Sequence, residues 1–308
     1  YNKSLSAEEV KQRYLSTRAR YYDDSLVLAM NFNNNSAIGE NSSYAVDISK
    51  QGNDGTIHGA TWTTGKFGSA LEFDGVNDYV KIPNSDSLNF GTGSGTIELW
   101  AYVISDIGNY DMVLHKGSSS ASDSGYDMEW GVDPWIFSIS DGSARQIVSL
   151  SGNPRQEWLH VAMVIDRDSQ LLKVYYNGVL QKQSDISGIG SIDNSKDLII
   201  SNPNYWFKGR IDEVRIYNRA LSEDEIKMHY LSEFQKYNST QWRFYNNITD
   251  LEEGTYTYYG WANDTAGNEG ESEVREVTID TTQPTISNEA INDTKIYIGE
   301  SIYLNCSV

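Results

Sequence analysis

The sequence predicts an all-β protein built as an antiparallel sandwich, and three observations carry this prediction. Short runs of apolar residues recur through the middle of the chain with no helical segments between them. Turn-forming dipeptides such as Asn-Gly and Asp-Gly separate the runs. The composition also favours strands, because 8 Trp and 21 Tyr stand against only 24 Lys and Arg.

Ten segments of the region 22–218 have the character of strands. They are Ser25–Phe32, Ala70–Phe73, Tyr79–Ile82, Gly95–Val103, Asp111–His115, Ile136–Ile139, Trp158–Ile165, Leu171–Tyr176, Leu198–Ser201 and Gly209–Ile216. The dipeptide Asn177-Gly178 predicts a hairpin, since a type I′ turn needs a positive φ at both central residues. We expect the last of these strands to pair near the first, which would bring the ends of the region together.

Two similar segments, 216 residues apart, predict a short helix on each side of the strand-rich region. The first opens the chain and the second begins at Tyr217. Each has a serine followed three residues later by a glutamate, Ser6 with Glu9 and Ser222 with Glu225, which is the pattern of a capping box. The repeat predicts that the chain is an excerpt from a tandem array.

The charge of the chain excludes some classes of partner. A net charge of −19 repels a nucleic acid backbone and an anionic membrane surface, so neither is an expected partner. No stretch approaches the roughly 18 consecutive apolar residues of a membrane-spanning helix, and we expect no membrane insertion. Divalent cations and neutral ligands remain as candidates.

Eight Asn-x-Ser/Thr sequons lie toward the two ends of the chain. They are Asn2, Asn34, Asn41, Asn238, Asn247, Asn263, Asn292 and Asn305. Their density predicts a glycosylated protein that is extracellular and exposed at the cell surface. The alternative is that loops rich in Asn, Ser and Thr match the motif by accident.

Four stretches resemble the laminin G-like domains of the concanavalin A-like superfamily, which occur in secreted proteins. They are Lys66–Pro83, Gly95–Trp100, Trp158–Met163 with the following Tyr176–Gly178, and Phe207–Ser222, and the resemblance extends over residues 26–222. It implies a jelly roll of two antiparallel sheets. The stretches Leu251–Tyr258, Asp264–Asn268 and Val277–Asp280 look like the last strands of immunoglobulin-like modules in prokaryotic, and in particular archaeal, surface proteins.

The predicted domain organisation follows from these resemblances. It consists of a helical tail over 1–21, a laminin G-like jelly roll over 22–220, a helical linker over 221–237, a partial immunoglobulin-like module over 238–281 and the start of a further such module over 282–308.

The resemblance implies one structural Ca²⁺ between the opening and closing strands. Its ligands would be Asn33, Asp47, Asn53 and Asp212. Ca²⁺ takes six to eight hard oxygen ligands, which carboxylates, amides and loop carbonyls supply. The position of Asn33 is more usually Asp in similar sequences, so this chain has one charge fewer there. The alternative is a set of turns whose Asx side chains cap their own backbone.

Five aromatic residues in or beside predicted loops are candidates for stacking on sugar rings. They are Tyr126, Trp130, Trp135, Tyr205 and Trp206. The alternative for each ring is packing in the core or in a hairpin. A single sequence does not decide between these two roles.

The sequence has no convincing catalytic motif. Glucanases of the jelly-roll type carry two or three carboxylates at alternate positions of one strand. The nearest pattern is Asp127-Met-Glu129, which stands alone and is interpreted as a solvated strand face.

We therefore expect a non-catalytic extracellular module of a multidomain cell-surface protein, with a role in adhesion or carbohydrate binding. Its partners would be glycans or neighbouring surface-protein subunits, with which it could self-associate in an array. Two alternatives remain open: a structural spacer or filament subunit without a ligand, and, with less support, a glycan-cleaving enzyme.

Overall fold

The architecture comes from a computed structural model of the chain, which divides into two compact units, residues 1–247 and 248–308. The described residues are 24–105, 111–117, 120, 122–131, 135–152, 155–202, 204–236, 238, 241–246, 251–263 and 269–280. The predicted helical tail over 1–21 and the predicted last module over 282–308 lie outside them.

Sixteen strands of the described part of the first unit form a sandwich of two antiparallel sheets. In chain order they are β1 (Leu26–Met30), β2 (Tyr44–Ala45), β3 (Gly55–His58), β4 (Thr61–Thr64), β5 (Ser69–Asp74), β6 (Tyr79–Ile82), β7 (Gly95–Val103), β8 (Asp111–Gly117), β9 (Ser124–Trp130), β10 (Trp135–Asp141), β11 (Arg145–Leu150), β12 (Trp158–Asp166), β13 (Leu171–Tyr176), β14 (Val179–Asp185), β15 (Leu198–Ser201) and β16 (Lys208–Tyr217). Two 3₁₀ turns span Ser36–Ile38 and Asp86–Leu88.

The strand order is that of a jelly roll. The first sheet runs β14-β13-β12-β7-β16-β5-β4, with β1 beside β16. The second sheet runs β11-β10-β9-β8-β15-β6-β3-β2. All of these pairings are antiparallel, so the predicted fold class, an all-β antiparallel sandwich, is confirmed.

The core lies between the two sheets because alternate residues of each strand face it. On β7, Ile97, Leu99 and Ala101 are buried in this core. On β9, Tyr126 and Met128 enter it from the opposite sheet. The residues between them in sequence therefore lie on the outer faces of the sandwich.

Two predicted pairings are confirmed. The opening strand β1 pairs with the closing strand β16, with Leu28 opposite Ile216. The β13–β14 hairpin turns through Asn177 and Gly178, whose φ values of 47° and 77° are the positive angles that the turn requires.

A helix follows the closing strand and packs against the outer face of the first sheet. Helix α1 (Glu223–Leu231) starts with the predicted capping box, in which the Ser222 side chain and Glu225 bond to each other's backbone N–H. Leu221 and Ile226 pack with residues of the sheet in a second, smaller core. This packing explains why a helix of only nine residues is stable at this position.

The predicted linker over 221–237 does not remain helical to its end. Its last residues form β17 (Ser232–Lys236), which pairs with β18 (Trp242–Asn246) in the first unit. The sequence pattern indicated a strand at Trp242, but it assigned that strand to the following module. The difference arises because the strand finds its partner directly after the helix.

The described part of the second unit contains two strand pairs. β19 (Gly254–Tyr258) pairs with β22 (Arg275–Ile279), and β20 (Trp261–Asn263) pairs with β21 (Glu269–Glu271). The immunoglobulin-like assignment of this region stays a prediction. None of the described helices is both long and apolar enough to cross a membrane.

Candidate ligand-binding face

The outer face of the first sheet is covered by helix α1. Tyr230 of the helix stacks on Trp100 of β7 with their ring centroids 5.6 Å apart. Glu98, Trp100 and His160, which all point outward from the sheet, are fully buried as a result. A ligand therefore has no access to this part of the face.

A buried network of acidic and basic side chains, here called the covered network, links the helix to the sheet. It consists of Glu98, His160, Arg215 and His229. His229 Nδ1 of the helix lies 2.7 Å from Glu98 Oε1. Arg215 Nη1 lies 3.6 Å from the same oxygen, and His160 Nε2 lies 3.7 Å from Glu98 Oε2.

The covered network sets unusual pKa values. Burial raises the pKa of Glu98, but His229, His160 and Arg215 outweigh it and lower that pKa to about 2. Burial lowers the pKa of His160 to about 4, although Glu98 acts in the opposite direction. Glu98 is therefore ionised and His160 neutral near pH 7.

The outer face of the second sheet carries a different cluster. Asp127 and Glu129 of β9 point outward, because Tyr126, Met128 and Trp130 occupy the core side of the same strand. Both carboxyl groups are nevertheless almost fully buried. The sequence interpretation of this pair as a solvated strand face is therefore wrong, and the reason lies on the neighbouring strands.

The two carboxylates are bridged by Arg145 of β11, and we call Asp127, Glu129, Ser138 and Arg145 the open network. Arg145 Nη2 donates to Asp127 Oδ1 at 3.2 Å and to Glu129 Oε1 at 3.0 Å. Its Nε donates to Ser138 Oγ at 2.9 Å, and the Ser138 hydroxyl donates to Asp127 Oδ2. The guanidinium is thus held from two sides.

The surroundings of Asp127 change its acidity. Burial raises the pKa of Asp127 well above its usual range, and the neighbouring Glu129 raises it further, while Arg145 and Ser138 act in the opposite direction. The fold therefore favours the protonated form of Asp127 relative to a free aspartic acid side chain.

The loop after β15 borders this cluster. His115 of β8 lies opposite Asp127, and its Nε2 accepts a hydrogen bond of 2.8 Å from Asn202 Nδ2. Asn202 Oδ1 accepts from the Tyr205 N–H at 3.2 Å. The Tyr205 carbonyl in turn accepts from the N–H of Met112, which lies opposite Glu129.

This loop presents two of the five predicted stacking residues. Tyr205 is 57% exposed and Trp206 is 42% exposed. On the other side of the open network, Ile147 of β11 is 41% exposed. We call the surface between the 204–206 loop and β11 the open face.

The other three predicted stacking residues lie in the core. Tyr126, Trp130 and Trp135 are buried in strands β9 and β10 rather than in loops. Trp130 and Trp135 pack edge to face, 5.1 Å apart. A sugar cannot stack on these rings, and the alternative of core packing describes them correctly.

The four predicted calcium ligands fall into two separate groups. In the first, both carboxylate oxygens of Asp47 accept hydrogen bonds: Oδ1 from the N–H groups of Ala29 and Ser49, and Oδ2 from the Asn53 N–H and the Ser49 hydroxyl. Asn53 donates its amide to the Val27 carbonyl at 2.7 Å. This group fixes the 47–54 loop against β1.

The second group holds the turn before β5. Asp212 Oδ2 accepts from the Phe67 N–H at 3.1 Å, and Asn33 Oδ1 accepts from the Ser69 N–H at 3.1 Å. Since N–H donors already occupy the carboxylates of Asp47 and Asp212, the four residues do not fit one calcium ion. Across the described residues no three His, Cys, Asp or Glu side chains form a metal-binding group.

Three further buried carboxyl groups lie near the opening and closing strands, and the sequence did not single them out. They belong to Glu40, Glu213 and Glu233, and each has one oxygen without a hydrogen-bond partner. Burial raises the pKa of Glu40 to about 7 and that of Glu213 to about 8. Glu213 is therefore held mainly in its neutral form at pH 7.

Three of the predicted sequons have a described asparagine side chain. Asn34 and Asn41 are exposed, and Asn238 is half-buried. Asn263 lies in β20, and its side chain is not among those described. Asn2, Asn247, Asn292 and Asn305 lie outside the described residues.

The described strands form a β-sandwich of two antiparallel sheets with the strand order of a jelly roll. A helix covers part of one outer face, and the other bears a polar cluster near a loop with exposed aromatic rings. A comparison with protein families supports this class. The laminin G-like family profile of the concanavalin A-like lectin/glucanases superfamily matches residues 74–227, half of the chain. The chain belongs to this superfamily, which confirms the predicted resemblance.

Similar proteins include parts of toxins and of a polysaccharide-degrading enzyme. A botulinum-like toxin of Enterococcus sp., eBoNT/J, is 32% identical over 114 residues, which are 33% of this chain and 9% of that protein. The chain therefore matches only a small part of that relative's length.

Solved structures share the fold. The binding domain of Paraclostridial Mosquitocidal Protein 1 superposes with a TM-score of 0.57 at 19% identity, covering 68% of this chain and 52% of that one. Domain 4 of AbnA, an extracellular arabinanase of Geobacillus stearothermophilus solved with arabinotriose, gives a TM-score of 0.51 at 19% identity, covering 66% and 97% of the two chains. At these identities the likeness establishes the fold alone.

Proposed function

We infer that this chain is a non-catalytic carbohydrate-binding module of an extracellular, multidomain surface protein, acting in adhesion. The binding site is the open face of the second sheet. The observation that carries the proposal is the pair of exposed rings, Tyr205 and Trp206, beside a rigid polar network.

The chemistry of this face suits a sugar. Exposed aromatic rings stack on the apolar faces of pyranose and furanose rings, while fixed polar groups orient the hydroxyl groups. The 204–206 loop is held in place by Asn202, so the backbone that carries both rings is ordered before a ligand arrives.

The comparisons favour binding over other roles. The mosquitocidal protein and several botulinum neurotoxins are represented by their binding domains, and domain 4 of the arabinanase was solved with a bound arabinose trimer. These descriptions concern those proteins, and they support a binding role for this chain through a shared fold.

The open network favours binding rather than hydrolysis. A glycosidase needs one carboxyl group free to donate a proton and another free to attack or to activate water. Here one guanidinium nitrogen, Arg145 Nη2, bonds to both Asp127 and Glu129. We therefore expect no release of reducing sugar by the wild type. Activity that disappears in an Asp127→Asn, Glu129→Gln double variant would establish the enzyme alternative instead.

The direct test is binding of the full chain to a broad glycan array, repeated with Trp206→Ala and Tyr205→Ala. We expect each substitution to weaken binding at least tenfold, because stacking on an exposed ring is lost. Tyr259→Ala is the matched control, since Tyr259 is 54% exposed but belongs to the second unit. Equal losses in all three variants would contradict the assigned face.

A spacer or surface-layer role is the alternative to ligand binding. Failure of the wild type to bind any glycan, together with self-association in sedimentation, would favour it. The predicted cell-surface location and glycosylation belong to the same proposal, and mass spectrometry of the native protein at Asn34 and Asn41 tests the glycosylation.

The binding of a structural calcium ion, which the family resemblance implies, stays a prediction that is separate from the proposed carbohydrate binding. The donors observed on Asp47 and Asp212 do not favour it, and nothing in the proposed binding site depends on it.

A further inference from the structure

We propose that the open face selects neutral glycans and rejects anionic ones, because Asp127 and Glu129 cancel the charge of Arg145 from behind. This inference rests on the proposed function and adds the class of ligand. It depends on the charges of the open network, whereas the proposed function depends on the exposed aromatic rings.

The first step is the accessibility of Arg145. Its side chain is 18% exposed, whereas Asp127 and Glu129 are nearly completely buried. Nε and Nη2 are engaged with the open network, and Nη1 makes no hydrogen bond within the described part of the chain. The exposed part of the network is thus a set of N–H donors, which is what a sugar hydroxyl or carboxylate would meet.

The second step is the charge behind those donors. One guanidinium faces two carboxyl groups, both within 3.2 Å of Arg145 Nη2. With one proton shared by the pair the network is neutral, and with none it carries one negative charge. In neither state does it offer the net positive charge that attracts an anion.

The third step is the surroundings. Ile136 and Ile147 lie on the same outer face as Ser138 and Glu129, and they add apolar rather than charged surface. Lys182 reaches only the carbonyl of Ser149, toward the opposite end of β11 from Arg145. The whole chain carries −19, so its long-range field also opposes an anionic ligand.

Arg145 can still donate hydrogen bonds to a neutral ligand although the two carboxyl groups balance its charge. A hydroxyl oxygen needs only a well-placed donor, and the Asp127, Glu129 and Ser138 contacts fix the guanidinium plane before binding. The network therefore supplies an oriented donor without the affinity for anions that an isolated arginine has.

The experiment compares matched ligands on the full chain. Neutral oligosaccharides are arrayed beside counterparts that carry a C6 carboxylate or a sialic acid, and the best pair is measured by calorimetry. We expect the wild type to prefer the neutral member by about tenfold or more, which corresponds to about 1.4 kcal/mol. Equal or tighter binding of the anionic member would overturn the inference.

Two variants assign the selectivity to the carboxyl groups. Glu157→Gln is the control, because it removes an exposed acid outside the open network, and we expect its neutral preference to persist. The Asp127→Asn, Glu129→Gln double variant leaves no carboxyl group to balance the charge of Arg145. We expect the ratio of the affinity for the neutral ligand to that for the anionic ligand to fall at least tenfold. An unchanged preference in a folded double variant would overturn the inference.

The outcomes separate the two proposals. Binding that requires Trp206 but favours anions leaves the proposed function standing and refutes the selectivity. Absence of binding to both members of every pair refutes the proposed function and the selectivity together. If circular dichroism shows that the double variant is unfolded, the preference of the wild type still decides the inference.

Discussion

The two outer faces of the sandwich each bury carboxylates beside an arginine, but they use them for different purposes. On the first sheet, Glu98 is surrounded by His160, Arg215 and His229, and a helix seals the group. On the second sheet, Asp127 and Glu129 outnumber Arg145, whose side chain reaches solvent. On the covered face three basic side chains surround Glu98, and one of them, Arg215, also pairs with Glu213. On the open face two carboxyl groups surround one base.

This contrast shows how the numbers of neighbouring acidic and basic side chains determine whether the pKa of a buried carboxyl group is lowered or raised. Burial raises the pKa of the carboxyl groups in both clusters. The pKa of Glu98 is nevertheless lowered to about 2, whereas that of Asp127 is raised well above its usual range. The covered cluster therefore acts as a fixed ion pair that holds helix α1. In the open cluster two carboxyl groups contact one guanidinium, so the cluster offers hydrogen-bond donors without a net positive charge.

The largest expected effect comes from breaking the covered network with Glu98→Gln. This change leaves the buried His229 and Arg215 facing a neutral amide, and we expect a loss of about 3–5 kcal/mol in the free energy of unfolding. Urea denaturation measures it. Glu157→Gln is the control on an exposed site, and a similar loss in both variants would refute the special role of Glu98.

The second effect is a dependence on acid pH through His160. Its pKa is about 4 in the fold against 6.5 for the free side chain, so the folded state favours the neutral ring. Stability is then lost as the pH falls from 6.5 to 4, by at most about 1.4 kcal/mol per pH unit.

In His160→Gln this part of the acid-induced loss should disappear, while the loss from protonating Glu98 remains between pH 4.5 and 2. Melting temperatures measured from pH 7 to pH 4 test the difference. His58→Gln, at an exposed site, should follow the wild type. Parallel curves for all three proteins would exclude His160 as the cause.

A smaller effect of the opposite sign is expected on the open face. Because the pKa of Asp127 is raised in the fold, its contribution to stability falls as the pH rises above 3.8. Asp127→Asn should therefore reduce stability at pH 6 by less than Glu98→Gln does and should flatten the decline at higher pH. A loss as large as that of Glu98→Gln would mean that the two networks are equivalent.

The smallest expected effect is that of calcium. A site occupied at 100 times its dissociation constant adds about 2.7 kcal/mol to stability. Since the four predicted ligands form two groups with their carboxylates engaged, we expect the melting midpoint to be the same in EDTA and in millimolar Ca²⁺. A clear rise that is lost in Asp212→Ala would restore the calcium site.

The sequence predicted the scaffold well because periodicity and turns are local signals. Strand β7, the Asn177-Gly178 turn and the Ser222 capping box all lie where local patterns indicated. The family resemblance added the sheet arrangement, which no local pattern contains.

The site was predicted less well because it depends on which strands become neighbours. Arg145 lies 16 positions after Glu129, and only the pairing of β9, β10 and β11 brings them together. Trp130 and Trp135 were placed in or beside loops because β9 was not among the predicted strands. The polar residues Asp127 and Glu129 made that strand hard to recognise as buried. The Asp127-Met-Glu129 spacing was the only sequence signal of the open network, whereas Tyr205 and Trp206 were predicted as stacking residues.

Mapping the bound ligand by hydrogen exchange tests the central claim most directly. The full chain would be compared with and without a saturating neutral oligosaccharide selected from the array. We predict that protection appears in β9–β11 and in the loop around Tyr205 and Trp206, and that helix α1 is unchanged. Protection confined to the covered face or to the second unit would contradict the assignment of the open face as the binding site.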